Sequence, residues 1–296
     1  MILDKCPICV SSKITKYFTC IDYTCSREKF NIVSCETCGF KFTNPRPDDK
    51  EIGEYYKSDM YISHTNNKTG FFNLLYQKIR NYTIIKKVNL LKNISKGNVH
   101  LDIGCGTGEF LNACKKSGFK TKGVEPSEIA RSKAIDNYGL EISSDISLNQ
   151  FKEKTIDSIS MWHVLEHVTN LNDVVGKISQ ILKNSGKIII AVPNHKSWDC
   201  KYYKEYWAAW DVPIHLWHFS EKTITKLFAK HNFKLVQTKP MFFDAFYVAL
   251  LSEEYKNGNK NVLKSFIIGL ISNIYSLFVK NSCSSHIYIF ERQKKS

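Results

Sequence analysis

The sequence predicts an α/β protein with a doubly wound, mostly parallel sheet preceded by a small zinc ribbon. Three observations carry that expectation. From Asn98 onward, short apolar runs alternate with amphipathic stretches, the pattern of strands joined by crossover helices. A glycine-rich turn, Gly104-Cys105-Gly106-Thr107-Gly108, follows the first of those runs. Two C-x-x-C pairs lie in the first 38 residues, which hold six of the chain's ten cysteines.

Composition sets the frame. A chain of 296 residues with 43% hydrophobic and 13% aromatic content can bury a real core, which excludes disordered and fibrous classes. Its 42 Lys and Arg against 28 Asp and Glu leave a formal charge of +14, so the surface should attract anions: phosphates, carboxylates, nucleic acid or an anionic membrane face. The start, Met1-Ile2-Leu3-Asp4-Lys5-Cys6, lacks a basic-then-apolar signal pattern, and the cysteines are too few for a disulfide scaffold, so a cytoplasmic location is expected. The longest apolar run, Ser265 to Phe278, has 14 residues, short of the roughly 20 needed to span a bilayer, and is expected to form a buried or interfacial helix.

Three regions follow. Residues 1–47 form the ribbon, 48–97 a helix-leaning connector that covers the next domain, and 98–296 the main domain. Within the last, 241–284 reads as an insertion of two aromatic-rich helical segments separated by KNGNKN. The strands of the main domain are expected at NVHLDIG, KTKGVE, DSISM, KIIIAV, KLVQT and SHIYIF. Ser127 is a good N-cap for the helix after KTKGVE, which should end at Gly139; a second helix should end at Asn184-Ser185-Gly186.

In the ribbon, Cys6-Pro7-Ile8-Cys9 and Cys35-Glu36-Thr37-Cys38 are separated by 25 residues, a spacing that brings four thiolates around one Zn²⁺. A closed four-cysteine site leaves no position for water, so the metal is expected to be structural. Cys20 and Cys25 are expected to be ordinary small residues. The prolines of Asn44-Pro45-Arg46-Pro47 fix an extended exit that points Arg46 toward the main domain.

The glycine turn follows a strand and opens a helix, as a nucleotide-binding turn requires, and its glycines let backbone approach a ligand closely. Glu125 ends the next strand, 21 residues beyond Gly104, where a carboxylate can bind ribose hydroxyls. The G-x-G-x-G spacing departs from the dinucleotide fingerprint, which favours a nucleoside ligand without a pyrophosphate.

Here the chain resembles class I S-adenosylmethionine-dependent methyltransferases, through L-D-I-G-C-G-T-G at 101–108, Glu125, and the stretch from Asp157 to Val168 that is similar to the fourth strand and following loop of the small-molecule branch. The resemblance implies a seven-stranded sheet and S-adenosylmethionine held by Asp102, Gly104, Cys105, Gly106, Gly108, Glu125 and, near adenine, Asp145. His163 is the expected contact from the fourth-strand loop, whereas Glu166 and His167 read as a helix-start pair that holds the fold.

Methyl transfer asks the protein to align acceptor and methyl group and, for many acceptors, to remove a proton. Candidate bases follow the fifth strand in Val192-Pro193-Asn194-His195 and in WAAWDVPIHLWHFS, where Asp211, His215 and His218 are interleaved with tryptophans. The run from His215 to Ser220 resembles the H-L-x-x-F-S element of zinc-ribbon methyltransferases acting on nucleotide-linked sugars, which implies His215 as base; His218 reads as structural. The leading expectation is O- or C-methylation of a small-molecule acceptor, anionic or aromatic. A second is an RNA methyltransferase that clamps its substrate with ribbon and basic surface. A third is a scaffold that keeps the cofactor fold without catalysis, against which the intact glycines and Glu125 argue. The apolar insertion leaves peripheral membrane contact open.

Overall fold

The computed structural model describes residues 1–48, 50–56 and 71–293, with side chains from residue 77 onward in the second long helix-bearing stretch. The amino-terminal part holds β1 (Ile14–Ile21), β2 (Lys29–Cys35) and β3 (Lys41–Thr43), followed by a 3₁₀ turn at Ile52–Tyr56. Helix α1 (Phe71–Ile94) leads to β4 (Val99–Ile103), α2 (Glu109–Lys116), β5 (Lys120–Val124), α3 (Glu128–Tyr138), β6 (Ile142–Ser143), β7 (Ile156–Trp162), α4 (Leu171–Ile181) and β8 (Leu182–Pro193). Then come α5 (Trp198–Tyr203), β9 (Trp217–His218), α6 (Glu221–Ala229), β10 (Phe233–Pro240), α7 (Asp244–Asn257), α8 (Val262–Phe278) and β11 (Ser285–Arg292). Part of the 48–97 connector therefore lies outside the described residues.

Seven strands form one sheet in the order β10-β11-β8-β7-β4-β5-β6. The five from β8 to β6 are parallel, and β11 runs antiparallel between β8 and β10. Central strands covered on both faces must be apolar along their length. Ile156, Ile159 and Met161 of β7 and Ile188, Ile189 and Ile190 of β8 are accordingly buried. The strand order reverses between β4 and β7, which opens a crevice at their carboxyl ends where loops can receive a ligand.

Local chemistry explains the boundaries. Ser127 caps α3 by accepting from the Ala130 N–H, and Gly139 ends the same helix at φ 56°, a left-handed conformation open to glycine. Helix α4 stops at Ile181, earlier than the Asn184-Ser185-Gly186 stop the sequence suggests. Leu182 already pairs with Ile156, and the Arg292 guanidinium donates to the carbonyls of Ser179 and Leu182, so the chain is drawn into the sheet three residues sooner.

The amino-terminal sheet is not closed on itself. Its order is β1-β2-β3-β9, so its fourth strand comes from the main domain, with Lys41 opposite His218 and Phe42 opposite Trp217. Phe40, Phe42, Trp217 and Phe219 pack ring against ring, and the Arg46 guanidinium lies over Trp217 while donating to the Thr169 carbonyl. Phe40 and Phe42 thus belong to the same buried cluster as Leu101 and Ile159 of the large sheet.

Ile190 is fully buried, with Met161 beside it on one strand and Tyr288 on the other. Ile190→Ala should lower unfolding free energy by about 2–5 kcal/mol, read as a drop in urea midpoint at unchanged slope. A loss below about 1 kcal/mol would contradict a core position for β8.

Candidate functional site

The crevice is built from the carboxyl ends of parallel strands. After β4 the chain turns through Gly104, Gly106 and Gly108, all at positive φ (72°, 55° and 83°). Gly104 and Gly108 are required by packing, since a Cβ would lie 2.4 Å from Val164 at the first and 2.7–2.8 Å from Leu140 and Ala134 at the second. Gly106 differs: a Cβ there would meet nothing within 4 Å, so its backbone faces open space of the kind a nucleoside can enter. Glu125 closes this turn. Its carboxylate accepts the Gly106 N–H at 2.8 Å and the Ser127 N–H at 2.9 Å, which fixes it at the rim.

Beneath the turn lies a buried polar relay. The Ser158 hydroxyl is 2.9 Å from His100 Nδ1, His100 Nε2 is 3.1 Å from Ser160 Oγ, and Ser160 donates to Asp102 at 2.5 Å. Burial lowers the His100 pKa to about 3 and raises that of Asp102 to about 7. The Asp102 side chain therefore supports the turn from below. The Cys105 thiol points into the packing with Leu111, Ala134 and Leu140, so only its backbone belongs to the turn. Asp145 lies on the exposed rim after β6, where its carboxylate accepts the Ser147 N–H.

His163 follows β7 at φ 55°, tied down by its N–H to the Ala191 carbonyl. That strained backbone aims the ring between two carboxylates: Nδ1 is 3.3 Å from Glu166 and Nε2 is 3.0 Å from Asp244 at the start of α7. Desolvation favours the neutral ring, but hydrogen bonds and charge from Asp244 and Glu166 outweigh it and raise the pKa to about 10. The cofactor contact expected from sequence is thus an imidazolium that links the β7 loop to α7. Glu166 is fully buried; burial would raise its pKa, yet His163 holds it below the ordinary range, so it is a carboxylate.

Beside it, His167 and His215 meet edge to face with ring centroids 4.6 Å apart. His215 Nδ1 is 2.9 Å from the Ala209 carbonyl, which can only accept, so Nδ1 carries the hydrogen and Nε2 keeps its lone pair in the neutral ring. Nε2 lies 3.8 Å from the Asp211 carboxyl, whose pKa burial raises to about 6 despite His215. His167 Nδ1 is 3.1 Å from both the Ile214 carbonyl and Tyr56 Oη, and burial followed by the charge of His215 lowers its pKa to about 3. One ligand atom each from Glu166, His167 and His215 lie within 4.8 Å of one another, a set that could hold a cation.

The structure therefore brings His215 and Asp211 to the crevice and leaves His218 out of it. His218 is in β9, buried against Trp210 and 3.3 Å from Thr43 Oγ1, and burial keeps it neutral. His195 is likewise buried, stacked on Trp210. Sequence reasoning assigned Glu166 and His167 to structure and had no reason to single out Tyr56 or Asp244. A 3₁₀ turn at Leu165–His167 places the pair inward, a geometry that the H-x-x-E-H spacing hints at without specifying.

In the ribbon, Cys6 Sγ is 3.6 Å from Cys38 Sγ and Cys9 Sγ is 3.4 Å from Cys35 Sγ, and all four lie within 4.8 Å of one another. A tetrahedron with Zn–S bonds near 2.3 Å needs sulfurs about 3.8 Å apart, which this cluster fits. The two loops repeat one turn: Val10 N–H bonds the Cys6 carbonyl and Gly39 N–H the Cys35 carbonyl, each at positive φ. Cys20 and Cys25 do not join the cluster.

Residues 76–238, more than half of the chain, match the profile of a family described as "Methyltransferase domain". An uncharacterized methyltransferase of Geobacillus sp. (strain WCH70) is 33% identical over 100 residues, 32% of this chain and 47% of that protein. A ubiquinone biosynthesis O-methyltransferase of Rickettsia canadensis is 31% identical over 157 residues, 50% of this chain and 64% of that one. The chain spans about half the length of the curated relatives it matches. The magnesium protoporphyrin IX methyltransferase of Synechocystis PCC 6803 with bound SAH shares the fold at TM-score 0.55 and 14% identity, covering 83% of this chain and 100% of that one. A SAM-dependent methyltransferase from Archaeoglobus fulgidus does so at TM-score 0.51 and 18% identity, covering 75% and 100%.

Two measurements check this site. His163 has a folded pKa of about 10 against an ordinary 6.5, so its contribution is complete below 6.5 and is lost as pH rises toward 10. Wild-type protein should lose stability across that window, and His163→Gln should lack that decline; parallel curves would break the assigned pairing. The wild-type chain should carry about one zinc, and Cys35→Ser should lose it and melt lower; unchanged zinc content in that variant would refute the four-thiolate site.

Proposed function

The chain belongs to the methyltransferase-domain family, and we propose that it moves a methyl group from S-adenosylmethionine to a small-molecule acceptor, with His215 as general base. One observation carries the reading: the open backbone at Gly106, rimmed by Glu125, follows β4, and His167, whose ring meets that of His215, follows the neighbouring parallel strand β7.

The fit to a nucleoside rests on that open position and its acid. The Gly104–Gly108 turn would hold the amino-acid and sugar portions, Glu125 the ribose hydroxyls, and Asp145 would lie toward the base. S-Adenosylmethionine supplies a methyl group on a positively charged sulfur, which leaves with its electron pair as a neutral thioether when an acceptor atom bonds to the carbon. The chain's own part is alignment, exclusion of water and removal of a proton.

His215 suits that last task. Its Nδ1–H is committed to a backbone carbonyl, so Nε2 is the free acceptor, and Asp211 lies close enough to stabilise the imidazolium that forms. Tyr56 and His167, beside it, line the acceptor side with groups able to bond a hydroxyl. The buried Glu166 carboxylate favours positive charge at this end of the crevice, whether an imidazolium or a bound cation. The four-cysteine ribbon would hold Zn²⁺ as a structural element whose fourth strand adjoins His215.

The test is incubation with methyl-labelled S-adenosylmethionine and either a small-molecule extract or total RNA, followed by mass analysis of the labelled species. Label in the small-molecule fraction supports the reading, and label confined to RNA overturns it. His215→Ala should lower turnover about a hundredfold or more with donor affinity nearly unchanged. Glu125→Ala should weaken donor binding about tenfold to a hundredfold, the loss of a hydrogen bond to a charged group. Wild-type turnover in His215→Ala would remove that residue from the mechanism.

A further inference from the structure

Helix α8 is inside out. Its protein-facing stripe is mostly small or hydroxyl-bearing: Ser265, Gly269 and Ser272 are buried there with one large apolar residue, Ile268, whereas Leu263, Phe266, Ile267, Ile274, Leu277 and Phe278 are exposed, Leu277 at 69% and Phe278 at 83%. The buried side is well satisfied. Ser272 donates to the buried Asp199 carboxylate at 2.9 Å, and Gly269 lets α7 approach so closely that a Cβ would lie 2.6 Å from Phe246. A helix on a water-facing surface normally does the reverse, placing its large apolar residues on the core. The outward stripe repeats every three or four residues over about 25 Å, the full length of the helix.

We infer that α8 lies flat on an anionic membrane, its apolar stripe entering the boundary between headgroups and acyl chains. Charge selects this occupant. The 17-residue helix contains no Asp or Glu; Lys264 within it and Lys260 before it bridge Glu253 and Glu254 of α7, the exposed Lys280 follows it, and the whole chain carries +14. An apolar face bordered by lysines matches an anionic bilayer surface in both its parts. The overall charge disfavours a second copy of the chain, because pairing two such helices would bring together two molecules of +14 each. Among the described residues no helix is long and apolar enough to cross a membrane, so the contact is peripheral. This inference is independent of the methyl acceptor.

The experiment is co-sedimentation of the full chain with vesicles of phosphatidylcholine alone and of phosphatidylcholine with phosphatidylglycerol, three to one. The chain should bind the anionic vesicles at least about tenfold more strongly, and added salt should weaken that binding without abolishing it. The double variant Leu277→Ser/Phe278→Ser should lose at least about tenfold in binding while keeping the wild-type melting temperature, since both side chains are outside the core. No preference for anionic vesicles, or equal binding by the double variant, would overturn the inference. So would a wild-type dimer in sedimentation velocity that the double variant converts to monomer while vesicle binding stays absent. If the double variant melts lower, Leu263→Ser, at the other end of the stripe, gives the same readout: weaker vesicle binding supports the inference and wild-type binding overturns it.

Discussion

The pairing of β3 with β9 is the constraint on which the candidate site depends. Three short strands and two cysteine loops bury too little to be stable alone, and Phe40 and Phe42 find their apolar partners in Trp217 and Phe219 of the main domain. The same contact immobilises the segment ahead of β9. Thr43 N–H bonds the Leu216 carbonyl at 3.0 Å, and Thr43 Oγ1 donates to the His215 carbonyl at 2.8 Å. The ribbon therefore acts on the crevice without entering it: whatever holds the four thiols also holds the backbone of His215.

A second constraint is electrostatic. Glu166 is wholly buried and charged, a state whose desolvation cost is offset by the imidazolium of His163. His163 is shared with Asp244, so two carboxylates face one positive ring, and the surplus negative charge lies beside His167 and His215. A positive charge placed on His215 would enter a field that already favours it. Burial works in the opposite direction at His167, His195 and His218, keeping those rings neutral. Five histidines, His163, His167, His195, His215 and His218, thus take different roles through burial and partners, and residue type alone does not distinguish them.

That difference marks how far the sequence could be read. Strands β4, β7, β8 and β11 are legible as apolar runs because strands covered on both faces demand them, the half-exposed β5 and β10 only by their place in the alternation, and the glycine turn is legible because backbone conformation is written directly in residue type. Strand β6 has two residues and no pattern of its own; only the family resemblance implied a seventh strand. The fourth ribbon strand was invisible because Phe42 and Trp217 are distant in the chain and neither carries a local signal of its partner. At the site, Gly106 and Glu125 could be named from spacing. The approach of Tyr56 to His167, and of Asp244 to His163, arises from packing between elements far apart in sequence.

The inverted helix and the crevice are mechanically connected through α7. Phe246 stacks on Phe266 with centroids 5.3 Å apart, and Gly269 allows the two helices to approach without an intervening side chain. The first residue of α7 is Asp244, the partner of His163. A close helix pair of this kind transmits displacement because packed side chains shift together. Moving α8 relative to the sheet would therefore draw Asp244 along or away from His163, and the loss of that carboxylate would lower the His163 pKa and alter the balance of charge around Glu166. A surface that held α8 in one position would thereby also hold Asp244 at its distance from His163.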